Sequence, residues 1–237
     1  PRRKKKGQSS RCFGHALYLP GRLLAVGGSM TEYRVGVLGG TFDPVHLGHL
    51  IIAEEVRQKL GLQEVLFMPA GQPWLKGEKD ISAVEHRLEM VILATASDPY
   101  LNVSTIELEN AEPTYSIDTI IEMRAGLGAG AKIYFIVGFD ALAELHLWKE
   151  PKRLVEMCQV VAVRRPGHGG FDLRSLDSAI PGASERIMIV DVPQIDISAT
   201  DIRRRVAQRI SIKYLVPEVV ETYIAANRLY VEGRSEN

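Results

Sequence analysis

The sequence predicts a doubly wound α/β domain on a mainly parallel sheet, and three observations carry that expectation. Short, near-continuous runs of Val, Ile, Leu, Phe and Tyr recur along the chain, as in parallel strands buried on both faces. Longer stretches with helical period separate them, which is the βαβ pattern of a sheet covered on both sides. At 237 residues, without a visible internal repeat, the chain suits one large domain with a full core.

Residues 1–29 come first and read poorly as structure. They hold seven Lys/Arg (Arg2, Arg3, Lys4, Lys5, Lys6, Arg11, Arg22) and no acid, with neither helical nor strand period. A disordered basic extension is the expectation there, with a nucleic-acid or targeting arm the lesser alternative. Met30 precedes a clean strand and is a candidate for the natural start, so residues 30–237 form the predicted domain. Taking those seven from the 29 basic residues leaves 22 against 29 acidic, a net of −7. An acidic body binds a polyphosphate only where it gathers positive charge or backbone N–H donors locally.

The predicted strands are Arg34–Leu38, Val65–Met68, Leu101–Leu108, Ile133–Val137, Val160–Arg164 and Arg186–Val192. The predicted helices are Leu47–Leu60, Val84–Ser97, Ser116–Ala125, Ala141–Trp148, Pro151–Met157, Ala199–Gln208 and Pro217–Asn227. Pro166–Ser184, rich in Gly, Ser and Asp, reads as a long surface connection. In such sheets a ligand sits beyond the carboxyl ends of the strands, where the strand order reverses.

Composition narrows the class further. Hydrophobic residues at 46% with 24% charged are ordinary for a globular protein. No apolar run approaches the ~20 residues of a membrane span, so no membrane partner is expected. Cys12 and Cys158 lie far apart and make neither a disulfide framework nor a zinc pattern, so a reducing, cytoplasmic setting is the expectation.

The strongest signal follows the first strand: Val37-Leu38-Gly39-Gly40-Thr41-Phe42-Asp43-Pro44-Val45-His46-Leu47-Gly48-His49. Gly39 and Gly40 are expected to let the backbone turn tightly and approach a ligand. His46 and His49, three apart at a helix start, share a face, and Gly48 keeps that turn open. Unpaired N–H groups and the helix dipole suit phosphate there, and two imidazoles add donors. G-x-G-x-x-G is absent, the second strand ends Met68-Pro69-Ala70 without an acid, and no Gly-Lys-Ser/Thr follows the glycines. No carboxylate or thiolate stands at metal-ligand spacing from the histidines, so no metal site is expected.

A second signal is Ile197-Ser198-Ala199-Thr200-Asp201-Ile202-Arg203, entering a helix after the last strand. Ser198 or Thr200 suits the cap. Arg203 is expected to place a cation in the first turn, where the dipole disfavours it by ~0.3–1 kcal/mol unless an anion offsets that cost. Trp148 follows a Gly138-Phe139-Asp140 turn at a strand's carboxyl end, which favours a stacking role, and Asp140 is placed to cap the helix beginning there.

These runs resemble the adenylyltransferases of the nucleotidyltransferase superfamily, especially the bacterial nicotinate-nucleotide branch. Gly39 to Pro44 with His46-x-Gly48-His49 resembles the first signature, and Ile197 to Arg203 the second. Pro113-Thr114-Tyr115-Ser116-x-Asp118-Thr119, Ser82 with Arg87, Gly138-x-Asp140 and Trp148 resemble elements of that branch, over nearly all of residues 34–230. Leu75 stands where relatives usually have a histidine, before Lys76. The resemblance implies a Rossmann-like nucleotidyltransferase fold that transfers AMP from ATP to nicotinate mononucleotide, in NAD biosynthesis. It implies His46, His49 and Arg203 as the catalytic groups, and Gly39, Gly40, Thr41, Phe42, Ser198 and Thr200 as ATP contacts. Lys76, Tyr115, Ser116, Asp140 and Trp148 are the implied acceptor contacts. Mg²⁺ is expected to be held mainly by the ATP phosphates. The expected partners are these two small molecules rather than nucleic acid, and no oligomeric state is implied. Nicotinamide mononucleotide or phosphopantetheine as acceptor, or a non-catalytic nucleotide-binding regulator, remain alternatives.

Overall fold

The computed structural model describes residues 17–18, 32–71, 81–109, 114–128, 130–164, 172–193 and 195–231. Among these residues the sheet has seven strands: β1 (Leu17–Tyr18), β2 (Tyr33–Gly40), β3 (Glu64–Pro69), β4 (Leu101–Ser104), β5 (Ala131–Gly138), β6 (Gln159–Arg164) and β7 (Ile187–Asp191). They lie in the order β1-β4-β3-β2-β5-β6-β7 and every pairing is parallel. Without the two-residue β1 this is the doubly wound order, with its reversal between β2 and β5. The helices are α1 (Leu47–Leu60), α2 (Val84–Thr95), α3 (Ser116–Leu127), α4 (Phe139–Ala143), α5 (Pro151–Met157), α6 (Ala183–Arg186), α7 (Ala199–Ala207) and α8 (Glu218–Ala226).

Alternation along each strand feeds two cores. In β5, Tyr134 and Ile136 join one cluster while Ile133, Phe135 and Val137 join the other. The first cluster takes Ala53 and Val56 of α1, Met90 and Val91 of α2, Ile202 of α7, and Val220 and Ile224 of α8. The second takes Ile117 and Ile120 of α3, Leu142 of α4, Leu154 of α5 and Ala183 of α6. Gly36 in β2 is tightly packed. A Cβ there would stand 3.0 Å from both the Leu62 and Val65 side chains.

Three predicted elements differ. The strand expected to reach Leu108 ends at Ser104, because β3 pairs it only as far as Val103 and the Leu108 N–H then closes a turn onto the Thr105 carbonyl at 2.8 Å. The helix expected over Ala141–Trp148 begins earlier, at Phe139, and breaks. A 3-10 turn over Leu145–Leu147 follows, and Trp148 is extended. Leu142 and Leu145, three apart and both buried, are the spacing that turn serves. The connection expected at the surface over 166–184 is in part core: among its described residues a 3-10 helix spans Leu173–Ser178, and Leu176, Ile180 and Ala183 are buried.

Candidate active site

The carboxyl end of β2 delivers Gly39 and Gly40, neither of them at positive φ. The left-handed residue is Phe42, at φ 50. Its ring is 3% exposed, edge-on to His49 with centroids 5.0 Å apart and tilted against Phe67. Phe42 therefore packs into the core beneath the turn. Gly39 has open space where a Cβ would stand, which leaves room for a ligand at the sheet edge.

His46 precedes α1 in an extended conformation and is 4% exposed. Its ring stacks on that of His49 at 3.7 Å. The His46 backbone N–H donates to His49 Nδ1 at 3.2 Å, and the His49 N–H donates to the His46 carbonyl at 2.9 Å. An Nδ1 that accepts leaves Nε2 as the protonated nitrogen of a neutral His49 ring. Gly48 sits close against the first ring, where a Cβ would lie 3.0 Å from His46 Nδ1.

The late helix arrives at the same place. Ser198 is its cap, its hydroxyl accepting from the Asp201 N–H at 3.1 Å. Arg203 lies in the second turn, not the first, so the expected dipole cost falls away and Asp201 is the first-turn charge. Its guanidinium reaches back instead. Nη1 donates to the Asp43 carbonyl at 2.6 Å and Nη2 to the Thr200 hydroxyl at 3.5 Å. Arg204 and Arg205 both pair with Asp201, on the rim of a cavity of about 480 Å³ also lined by Asp196, Ser198 and Thr200.

Asp43 is the residue that motif reading left without a role. It is 3% exposed, and its carboxylate accepts the Tyr230 hydroxyl at 2.6 Å and the Ser82 N–H at 3.1 Å. Arg87 was noted only as part of the resemblance. It is 2% exposed and donates to the carbonyls of Thr41, Ala70, Gly71 and Ser82, tying the turns after β2 and β3 to the start of α2. Burial lowers its pKa, and the nearby Asp43 carboxylate opposes that. Its spacing with Met90, Val91 and Ala94 was the available signal, because an arginine at i, i+3, i+4, i+7 with apolar residues shares their buried face.

The second group of residues lies along α3 and the loop after α4. Tyr115 precedes α3 and Ser116 opens it, half-buried. Lys149 joins this start to the Trp148 loop, its ammonium 4.6 Å from the Tyr115 ring centroid and 2.8 Å from Asp118. The hydrogen bond to Asp118 raises the Lys149 pKa. Trp148 is half-buried, edge-on to Phe135 at 6.1 Å, and its Nε1 has no hydrogen-bond partner among the described residues. Asp140 is exposed and is the second residue of α4. Gly138 holds the cap position that Asp140 was expected to take. Lys76 and Leu75 lie outside the described residues.

Both groups thus stand at the carboxyl edge of adjacent strands, since β2 pairs with β5 through Leu38 and Ile136. A doubly wound sheet with phosphate-suited helix starts at its switch point is the class of a nucleotidyltransferase, and the cytidylyltransferase-like family matches residues 37–205. A protein of Dehalococcoides mccartyi named as a probable nicotinate-nucleotide adenylyltransferase is 41% identical over 201 residues, covering 85% of this chain and 98% of its own. A Moorella thermoacetica protein of the same name is 43% identical over 201 residues, covering 83% and 91%. The chain belongs to the nicotinate-nucleotide adenylyltransferase family. Among solved structures, Plasmodium falciparum nicotinic acid mononucleotide adenylyltransferase complexed with NaAD superposes with a TM-score of 0.67 at 20% identity, covering 83% of this chain and 97% of that one. At that identity the likeness is one of fold. No helix among the described residues is long and apolar enough to cross a membrane.

Proposed function

We propose that this chain transfers AMP from ATP to nicotinate mononucleotide, releasing pyrophosphate. The observation that carries the reading is the 2.6 Å bond from Arg203 to the Asp43 carbonyl, which joins the two phosphate-suited turns beside the stacked histidines. A single triphosphate spans that gap. His46 and His49 at the start of α1, with Gly39, Gly40, Thr41 and the Phe42 backbone, line one side. Ser198, Thr200 and Arg203 line the other.

In the proposed step an oxygen of the acceptor's 5′-phosphate attacks the α-phosphorus in line. The new P–O bond forms as the bond from the α-phosphorus to its bridging oxygen breaks, and pyrophosphate leaves with that electron pair. A phosphate monoester with second pKa near ~6 is already largely dianionic at neutral pH, so it needs no general base. The protein's work is to hold two polyanions in register and to stabilise charge spreading over the transferred group. His49 Nε2–H and Arg203 are donors of that kind. Mg²⁺ enters on the nucleotide as Mg-ATP. Asp43, the carboxylate of the first turn, is buried with both oxygens engaged, which fits a metal carried mainly by the phosphates.

On the acceptor side, Tyr115, Ser116, Asp140 and Trp148 stand by the neighbouring strand end, and Trp148 offers its face to the pyridine ring; Lys76, between β3 and α2 in sequence, is a further proposed contact. The test is pyrophosphate release with ATP and each of nicotinate mononucleotide, nicotinamide mononucleotide and phosphopantetheine. The expected result is a kcat/KM at least tenfold higher for the nicotinate acceptor. A preference for either other acceptor overturns the acceptor assignment, and no release with any overturns the reaction.

A further inference from the structure

The C-terminal segment reaches into the nucleotide turn, and its last contact there lies outside every motif of the site. After α8 the Leu229 N–H bonds the Ile224 carbonyl at 3.1 Å and the Leu229 side chain is buried in the first core. Tyr230 follows in the left-handed region, at φ 63, a strained conformation for a non-glycine residue. That backbone aims the phenol at Asp43, whose Oδ1 it meets at 2.6 Å across 187 positions of sequence.

Asp43 connects this contact to the site. Its Oδ2 accepts the Ser82 N–H at the start of α2, its carbonyl accepts Arg203, and the Arg203 Nη1 is also 4.0 Å from Oδ2. A buried carboxylate beside a polyanion site is unfavourable unless its lone pairs are satisfied and its charge is matched. Tyr230 and Ser82 do the first, and Arg203 with Arg87 the second. Without the phenol, Oδ1 loses its charge-assisted partner, of the stronger kind of hydrogen bond. The carboxylate is then free to turn onto Arg203 and draw it away from a ligand.

We infer that Tyr230 is a positioning residue: its hydroxyl fixes the Asp43 carboxylate and thereby holds the Arg203 guanidinium in the orientation that receives the triphosphate. This rests on the nucleotide half of the proposed function and not on the choice of acceptor. Burial and the Asp43 charge hold the Tyr230 phenol far above its ordinary range, so it stays a donor throughout the working pH range.

The test is a double-mutant cycle on binding of the ATP analogue with a methylene bridge between the α- and β-phosphates, measured by titration calorimetry. Tyr230→Phe removes only the hydroxyl and is expected to weaken binding about tenfold. In an Arg203→Ala background the same change is expected to cost less than twofold, because the group it orients is gone. Affinity for nicotinate mononucleotide alone stays within twofold, which a general loosening of the fold would not allow. Tyr230→Phe binding the analogue within twofold of the unaltered chain overturns the inference. So do equal losses in both backgrounds, parallel losses for both ligands, or an unaltered chain that does not bind the analogue. Analogue binding without pyrophosphate release on nicotinate mononucleotide would instead fault the acceptor assignment, with the cycle still deciding the role of Tyr230.

Discussion

Glu107 follows β4, where its Oε1 accepts the Thr119 hydroxyl of α3 at 3.1 Å and burial pushes its pKa up from 4.5 to about 7. An acid with a higher pKa folded than unfolded binds its proton more tightly in the folded state. The stabilisation is therefore fully present below pH 4.5 and is lost as pH rises through 7. A shift of that size corresponds to about 3 kcal/mol over the window. Glu107→Gln keeps shape and acceptor without ionising. Urea denaturation from pH 4 to 8 should show the unaltered chain losing about 3 kcal/mol relative to the variant, and parallel curves would remove Glu107 as the cause. At this scale the sequence is legible where a motif fixes a local geometry, as with His46, Gly48 and His49. Arg87 was legible in principle, from its helical register with Met90, Val91 and Ala94. Asp43 and Tyr230 were not, because their roles lie in a contact between residues 187 apart and no periodicity encodes it.

At the scale of elements, hydrophobic period located the six main strands and the longer helices, since burial on the sheet sets both the pattern and the structure. It failed where neighbours decide. β4 stops for want of a pairing partner, and α4 gives way to a 3-10 turn that buries Leu145. The glycine-rich stretch before α6 hid Leu176 and Ile180 among polar residues. The entry to α7 was read correctly at its cap and one turn wrong at Arg203. That cap is open to a direct experiment. Ser198→Ala removes the acceptor for the Asp201 N–H and should cost about 1 kcal/mol in urea denaturation. Ser198→Asp restores an acceptor but sets a negative charge where phosphate is proposed to bind, so it should hold stability near that of the unaltered chain while weakening ATP binding at least tenfold. Undiminished ATP affinity in Ser198→Asp would move the triphosphate away from α7.

Over the whole molecule, the site closes contacts from distant parts of one chain. Asp43 near the start of the domain receives Arg203 from 160 positions away and Tyr230 from 187. α7, which carries Arg203, and α8, which precedes Tyr230, bury Ile202 and Ile224 in the same core cluster as Val56 of α1. A ligand gripped by both turns thus binds the folded chain and has nothing equivalent to bind in the unfolded one. At a hundred times its dissociation constant such a ligand stabilises by about 2.7 kcal/mol. For a domain of this size each kcal/mol raises Tm by roughly 2–4 °C, so Mg-ATP without acceptor should shift the melt by about 5–10 °C. Because both turns share one core, the melt should remain a single transition as it moves. Arg203→Ala should lower the unliganded Tm modestly, since it removes a charge that matches buried Asp43 while α7 keeps its cap, and should abolish most of the shift at the same ATP concentration. A full shift in Arg203→Ala, or ATP raising only one of two resolved transitions, would mean that the nucleotide is held by one turn alone, and the convergence would then serve the fold rather than the ligand.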